Sequence, residues 1–373
     1  LSDFTNNMLA PARSADLLQA ARMPDNNPFY PYFSARLMAV MQDEPEFIGF
    51  SVNYLSQALC AFAMVGFIRN INPRIKIVLG GSLVTSWAAL GAGIEKFSNL
   101  VDEMIAGAGE EKLLELLGAE YGHKNSSPDY DDFPAQFYFS PGFILPYSAS
   151  RGCYWRGCAF CPERAEENPY LPLSAAQINQ EFPLLVKKYQ PALVHLLDNA
   201  LSPALLKNLS QNPPGAPWYG FARVSKELAD EEFCLSLKKS GCVMLKLGIE
   251  SGDQEVLDKL NKGINLADAS KALKALKKAG IAAYVYLLFG TPQEIEVSAK
   301  KTLDFTVAHS DCIDFLNLAI FNLPVANDTA QNLQTEKFYE GDLSLYRDFR
   351  HPAGWDRQNA RNFLEKLSLI HIS

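Results

Sequence analysis

Three cysteines, Cys153, Cys158 and Cys161, fall within nine residues of the segment SASRGCYWRGCAFC. Thiolates spaced this closely on a loop can converge on one metal centre, and three of them leave one corner of a four-iron cluster open to a ligand that is not protein. An open iron is a place where chemistry can be done. The segment follows the apolar run Phe143 to Pro146, which reads as the end of a strand. A structural zinc site would need a fourth ligand, and no second Cys-x-x-Cys or His-x-x-x-His pair follows within reach. Three buried, unligated cysteines fit less well, because Arg151, Gly152, Arg156 and Gly157 suit a backbone wrapped round a cluster better than a core. The residues point to a metal centre and leave open which metal it holds.

The stretch RGCYWRGCAFC, with the aromatic Phe160 immediately before the last cysteine, resembles the cluster loop of radical S-adenosylmethionine (radical SAM) enzymes. The resemblance is to the branch that carries a cobalamin-binding-type domain ahead of its barrel. The spacing is Cys-x4-Cys-x2-Cys rather than the commoner Cys-x3-Cys-x2-Cys, as in the versions of the loop that contain Tyr-Trp. The resemblance implies a 4Fe-4S cluster on Cys153, Cys158 and Cys161, S-adenosylmethionine as cofactor with Phe160 beside it, and an electron donor such as ferredoxin or flavodoxin.

Length and composition bound these expectations. At 373 residues and 48% apolar content the chain has material for two domains with ordinary cores. A net charge of −8 with mixed signs gives no basic stripe and argues against nucleic acid as a bulk partner. Seven cysteines, an odd number without a secretory signal, fit a reducing cytoplasm rather than a disulfide framework. Arg69, Asn70, Asn72, Pro73 and Arg74 interrupt the longest apolar stretches, so no membrane span is expected. Both ends read as cut. The chain begins at Leu1, and residues 367–373, LSLIHIS, resemble a translated sequencing adapter and are set aside, His371 with them.

Residues 1–45 are hard to place: NMLAPARSADLLQAAR is helical in pattern and NNPFYPYF reads as a turn. From Glu46 to residue 120, PEFIGFSV, SQALCAFAMVGFIRNI, RIKIVLGGS and VDEMIAGAGEEKLLELLG alternate strand and helix, which predicts a Rossmann-like parallel sheet binding ligands at its carboxyl edge. The family resemblance makes this the later part of a cobalamin-binding domain, with Ser51, Gly80 and Gly81 on loops facing the corrin. The Asp-x-His-x-x-Gly motif is absent, and no histidine precedes His123. Cobalamin therefore stays open beside a plain Rossmann-like domain whose Gly-Gly makes a tight turn.

Residues 121–142 are polar and punctuated by proline, and read as a linker. From 143 to 335 six strands, each followed by a helical segment, predict a partial (β/α)6 TIM-type barrel with its reactive groups at the carboxyl ends of the strands. Residues 336–366 read as the start of a C-terminal extension. The overall expectation is an α/β protein, Rossmann-like domain first and partial barrel second.

The resemblance also gives the strand ends roles. Asp198 stands where the superfamily often holds the methionine amino group, and its alternative is a helix cap. Arg223 offers a fork to a carboxylate, or forms a surface ion pair. Glu250 and Ser251 would reach the ribose hydroxyls or the amine, or make a buried structural pair. Gly290, in LFGTPQE, would let the backbone pack on adenine, or simply turn a strand into a helix. Cys60, Cys234 and Cys242 read as core, and Cys312 has the better chance of approaching a site.

The chemistry that the resemblance implies is reductive cleavage of S-adenosylmethionine to a 5′-deoxyadenosyl radical, which removes hydrogen from a small-molecule or peptide substrate, with methyl transfer if cobalamin is bound. A non-catalytic scaffold that keeps the barrel, and a zinc-binding regulator, are the alternatives.

Overall fold

The structure is a computed structural model that describes residues 8–119, 127–133, 138–325, 333–337 and 341–370, the side chains of 367–370 excepted. The described residues fall into two compact units, one drawn from Leu1–Ser126, Asn322–Ala330 and Gln334–Phe349, the other from Ser127–Phe321, Gln331–Leu333 and Arg350–Ser373.

The first unit holds a parallel sheet of β1 (Phe47–Ser51), β2 (Lys76–Gly80) and β3 (Glu103–Met104), in that spatial order. Its central helix, Leu55–Ile71, is apolar nearly all round and buries Phe62, Val65 and Ile68 completely. Such a helix needs cover on two sides. The sheet is one, and the helix Ser14–Arg22 is the other, packed so closely that a side chain at Gly66 would meet the Ala21 carbonyl oxygen at 1.8 Å. Residues 26–33, read as a turn from their prolines and aromatics, instead lead into the helix Tyr30–Met41, with Pro31 in its first turn where a missing N–H costs nothing.

The division differs from the sequence reading at both ends of the barrel. Residues assigned to the barrel's end and to a C-terminal extension form an antiparallel sheet of Leu323–Pro324, Thr335–Lys337 and Tyr346–Phe349 that belongs to the first unit. Leu343 is buried in that unit's core, its N–H donates to Ala12 at 2.9 Å, and Asp342 accepts from Ser14 and Lys96. At the other end, residues read as linker pack with the barrel: the Tyr189 hydroxyl donates toward Asp129 and accepts from Tyr130 N–H, and the Tyr130 ring lies against the barrel core. Residues 121–126 and 134–137 of that stretch lie outside the described residues, as does residue 120 before it.

The second unit is built on six parallel strands in sequential order, β4 (Ile144–Tyr147), β5 (Leu193–Leu201), β6 (Trp218–Ala222), β7 (Cys242–Glu250), β8 (Ala282–Phe289) and β9 (Phe315–Ile320). Helices Ala175–Tyr189, Pro203–Gln211, Glu231–Lys239, Leu266–Ala279 and Glu296–Ala308 follow successive strands. This is the expected partial barrel. Strand alternation sorts the side chains: Val194, Leu196, Trp218, Leu245, Leu247, Ala283 and Val285 join the helices in one core. The alternate residues occupy the opposite, open face.

Among the described residues, no helix is long and apolar enough to cross a membrane.

Candidate metal and cofactor site

The cysteine loop leaves β4 through Ser150 and Arg151, which pair with Leu171 and Pro172. Gly152 turns it at φ +71°, where an added Cβ would lie 2.2 Å from the Pro169 carbonyl oxygen. The loop is then stitched to the segment after β7. Ala159 N–H donates to Leu260 at 2.8 Å, the Trp155 indole to the Asn261 carbonyl at 3.1 Å, and the Asn261 amide to Gly157 at 2.8 Å.

Cys158 is buried, and Cys153 and Cys161 are half-buried. Burial pushes the Cys158 thiol up, while the charges of Lys262 and Arg223 oppose that rise. Arg223 Nη1 stands 3.6 Å from the Cys158 sulfur. Cys161 precedes the short helix Pro162–Ala165, and its thiol, raised by burial, is drawn back by N–H groups of Glu163 and Arg164. It also senses the charge of Cys158 and Cys153, so the three sulfurs share one neighbourhood.

No group of three or more His, Cys, Asp or Glu side chains among the described residues is gathered tightly enough to hold a single metal ion. A tetrahedral zinc would require that gathering, with Zn–S bonds of about 2.3 Å. A four-iron cluster meets each thiolate at a different corner and does not. Three thiols, two cations beside Cys158 and amide N–H groups aimed at Cys161 form a donor set suited to such an anionic, thiolate-ligated cluster.

The strand ends around this loop are occupied as follows. Asp198 is almost wholly buried and accepts from Ala149 N–H at 3.1 Å and from the Ser150 hydroxyl. Desolvation raises its pKa, against these hydrogen bonds. Its carboxylate thus fastens the strand leading into the cysteine loop instead of standing free for an ammonium, and alternation along β5 places Asn199, with His195 and Leu197, on the open side. Arg223 is buried: its Nη2 donates to the Lys262 carbonyl and its guanidinium lies over Trp155, 4.2 Å from the ring centroid. A surface ion pair does not describe it. Glu250 has a left-handed backbone at φ +69° and pairs with Lys262 Nζ at 2.7 Å, both side chains largely out of solvent. A non-glycine residue there is strained, which marks the position as held by its surroundings.

Ser251 is turned away from the open face, its hydroxyl 3.2 Å from Thr302 and accepting from Asp253 N–H. The buried structural pair weighed as the alternative at this strand end is Glu250 with Lys262, while the Ser251 hydroxyl is engaged by Thr302 and Asp253. Gly290 takes φ +75°, as the close turn requires, and its N–H donates to Glu294. Phe160 lies under Lys262, whose Nζ is 5.5 Å from the ring centroid. Cys234, Cys242 and Cys312 are buried, Cys312 beside Asp311.

Residues 147–306, which contain the cysteine loop and most of the six strands, match the radical SAM superfamily. The chain carries a radical SAM domain. The family implies a 4Fe-4S cluster and S-adenosylmethionine, and the thiol set above fits the first. The chain is 24% identical over 310 residues to an uncharacterized methyltransferase of Pyrococcus horikoshii, covering 73% of this chain and 66% of that one. Its fold resembles the radical S-adenosylmethionine methyltransferase TsrM of Kitasatospora setae, a structure with cobalamin and a [4Fe-4S] cluster bound, at TM-score 0.61 and 17% identity over 91% of this chain and 80% of that one. It also resembles the cobalamin-dependent S-adenosylmethionine radical enzyme OxsB, a structure with aqua-cobalamin bound, at TM-score 0.64 and 15% identity over 88% and 59%. The chain spans about half to two thirds of the length of the curated relatives it matches first.

Two features of the radical SAM domain escaped the sequence reading. One is the open face of its sheet, where His195, Tyr219, Phe221, Lys246, Tyr284 and Tyr286 gather. The signal was there in CVMLKLGIE, where Lys246 interrupts an apolar strand. The other is Glu294, buried after β8, whose carboxyl accepts from Gly290 N–H and from the Trp355 indole at 2.8 Å and is pushed up to about 7 by desolvation.

In the first unit Ser51, Gly80 and Gly81 lie at the carboxyl edge of the sheet, β1 and β2 pairing at Ser51 and Gly80. Gly81, at φ +105°, lets the chain pass Val52, whose carbonyl oxygen would be 2.5 Å from an added Cβ. Ser51 accepts from the Asn53 amide, and Ser82 N–H donates to Asn53. A cavity of about 340 Å³ opens beside Ser51, lined by Phe29, Phe50, Gln57, Cys60 and Met64 among others. Gly81 is thus accounted for by a tight turn alone.

Proposed function

We propose that this chain is a radical SAM enzyme in which Cys153, Cys158 and Cys161 ligate three corners of a 4Fe-4S cluster and S-adenosylmethionine takes the fourth. The observation that carries the reading is the meeting of the cysteine loop with the strand ends: Cys158 lies against Arg223, which follows β6, and Glu250, which ends β7, contributes to its electrostatics. Cys153, Cys158 and Cys161 would hold the cluster, and the chemistry it would supply when bound is one-electron reduction of S-adenosylmethionine, with cleavage of a carbon–sulfur bond and hydrogen abstraction from a substrate.

The chain's own groups prepare that site. Arg223 and Lys262 set two positive charges near Cys158, which favours a thiolate there. The amide groups of Glu163 and Arg164 do the same for Cys161. Trp155, pinned to Asn261 and covered by Arg223, fixes the loop between its first two cysteines. Glu250 presents a carboxylate at the mouth, and its pairing with Lys262 holds it in one orientation.

The finer reading is cobalamin-dependent methyl transfer. It is supported by what the similar structures TsrM and OxsB are described as binding, and by the parallel sheet whose carboxyl edge bears Ser51 and Gly80. With no histidine in residues 1–122, this stretch offers no imidazole to the lower face of a corrin. Ferredoxin or flavodoxin would be the electron source.

The test is anaerobic reconstitution with iron and sulfide, then assay of 5′-deoxyadenosine under several reductants. A filled cluster that never yields deoxyadenosine would favour a scaffold, and zinc without acid-labile sulfide a zinc regulator. Retention of hydroxocobalamin through gel filtration, read by its visible absorption, decides the corrin separately.

A further inference from the structure

The open face of the six-stranded sheet carries aromatic rings around one cation. His195 and Tyr219 stack with centroids 4.4 Å apart and planes 6° apart. Phe221 and Tyr286 lie 4.9 Å apart, Tyr284 and Tyr286 4.7 Å. Lys246 stands among them, flanked in register by Phe221 and Tyr284, with Nζ 5.0 Å from the Tyr219 centroid and 4.9 Å from that of Phe221.

An ammonium has three donors, and ring faces answer only part of its charge. Elsewhere in this unit lysines have carboxylates whether buried or exposed: buried Lys262 has Glu250 and exposed Lys301 has Asp253. Among the described residues Lys246 has no carboxylate in ion-pair range. Burial depresses its pKa, and the ionisable neighbour that offsets this is Tyr284, not an acid. A desolvated cation without a counter-charge is costly unless something brings one. Further along the same strand face stands Gly248, bare because the Glu250 carboxylate and Lys262 Nζ lie 2.5 and 2.9 Å from where its Cβ would be. Lys246 is four residues from Glu250, roughly 13 Å along a strand.

We propose that this face holds the substrate, an aromatic or conjugated ring carrying an acidic group, with the ring against Phe221, Tyr219 and Tyr286, the acid on Lys246 Nζ, and the rest of the molecule directed toward Glu250 and the cysteine loop. The assignment of this ligand as substrate rests on the radical SAM reading; its binding does not.

The test uses the full chain under anaerobic conditions and calorimetric titration with indole-3-acetate, its methyl ester and cyclohexylacetate, while deoxyadenosine formation is assayed separately. Indole-3-acetate is expected to bind about tenfold or more tighter than either comparison compound, a difference of about 1.4 kcal/mol. Lys246→Gln should erase the preference over the ester, and Lys246→Arg should keep it. Equal affinity for acid and ester, equal affinity for indole and cyclohexyl acids, or no binding at about 10 mM overturns the proposal. Should Lys246→Gln fail to fold by circular dichroism, the ranking of the three compounds on the unmodified chain and on Lys246→Arg still decides. Binding without deoxyadenosine formation upholds the ligand class and counts against the enzyme reading; deoxyadenosine formation without binding does the reverse.

Discussion

Arg223 lies across the face of Trp155, its guanidinium carbon 4.2 Å from the ring centroid, while one of its nitrogens reaches the Cys158 sulfur at 3.6 Å. A planar guanidinium can stack and donate at once; an ammonium cannot. Arg223→Lys should therefore keep the fold but loosen the loop, so that reconstituted protein loses iron faster during anaerobic gel filtration. Unchanged iron retention would show that the stack has no part in holding the loop.

Gly263 tests the same contact from the other side. Its φ is +67°, and an added Cβ would meet the Trp155 ring at 2.0 Å. Gly263→Ala should cost on the order of 1–3 kcal/mol and displace the indole. The expected readout is a red-shifted tryptophan emission that is absent when Trp155→Phe is the background.

The Glu250–Lys262 pair is buried, so its members depend on each other. Lys262→Met leaves a carboxylate without its partner and should lower unfolding free energy by roughly 3–5 kcal/mol in urea titrations. The double variant Lys262→Met/Glu250→Gln should recover most of that loss. Equal destabilisation in single and double variants would mean that packing, not charge, holds the mouth.

Glu294 predicts a pH dependence. Desolvation raises its folded-state pKa from 4.5 to about 7, so the folded chain holds a proton that the unfolded chain releases. The stabilisation is fully present below about pH 4.5 and is lost as pH rises through about 7, by roughly 3 kcal/mol in total. Glu294→Gln keeps an acceptor for Gly290 and Trp355, gives the other side of the carboxyl a donor, and should flatten the dependence of thermal melts on pH between about pH 5 and about pH 8. A slope unchanged by the substitution would place the titrating group elsewhere.

Sequence periodicity located all six barrel strands because parallel strands covered by helices on one side carry runs of β-branched and aliphatic residues that few helices imitate. The cysteine loop was legible for a different reason: thiol spacing survives translation into three dimensions when all three lie on one loop. What stayed hidden was direction. A residue at a strand end can point either way, and only the fold shows that Asp198 turns back to Ala149 and Ser150 and that Ser251 turns to Thr302. Nor could local pattern tell that Gln334–Phe349 returns to the first unit, since that assignment rests on Leu343 reaching a core built hundreds of residues earlier in the chain.

The ties of Ala159, Trp155 and Gly157 to residues 260 and 261 have a kinetic meaning. Because the sulfur-bearing loop and the segment just beyond Glu250 are laced into one frame, the donor and acceptor of an electron would be set at a fixed separation. The protein frame would then contribute little motion of its own, and no hinge between the loop and the Glu250 segment would have to close first.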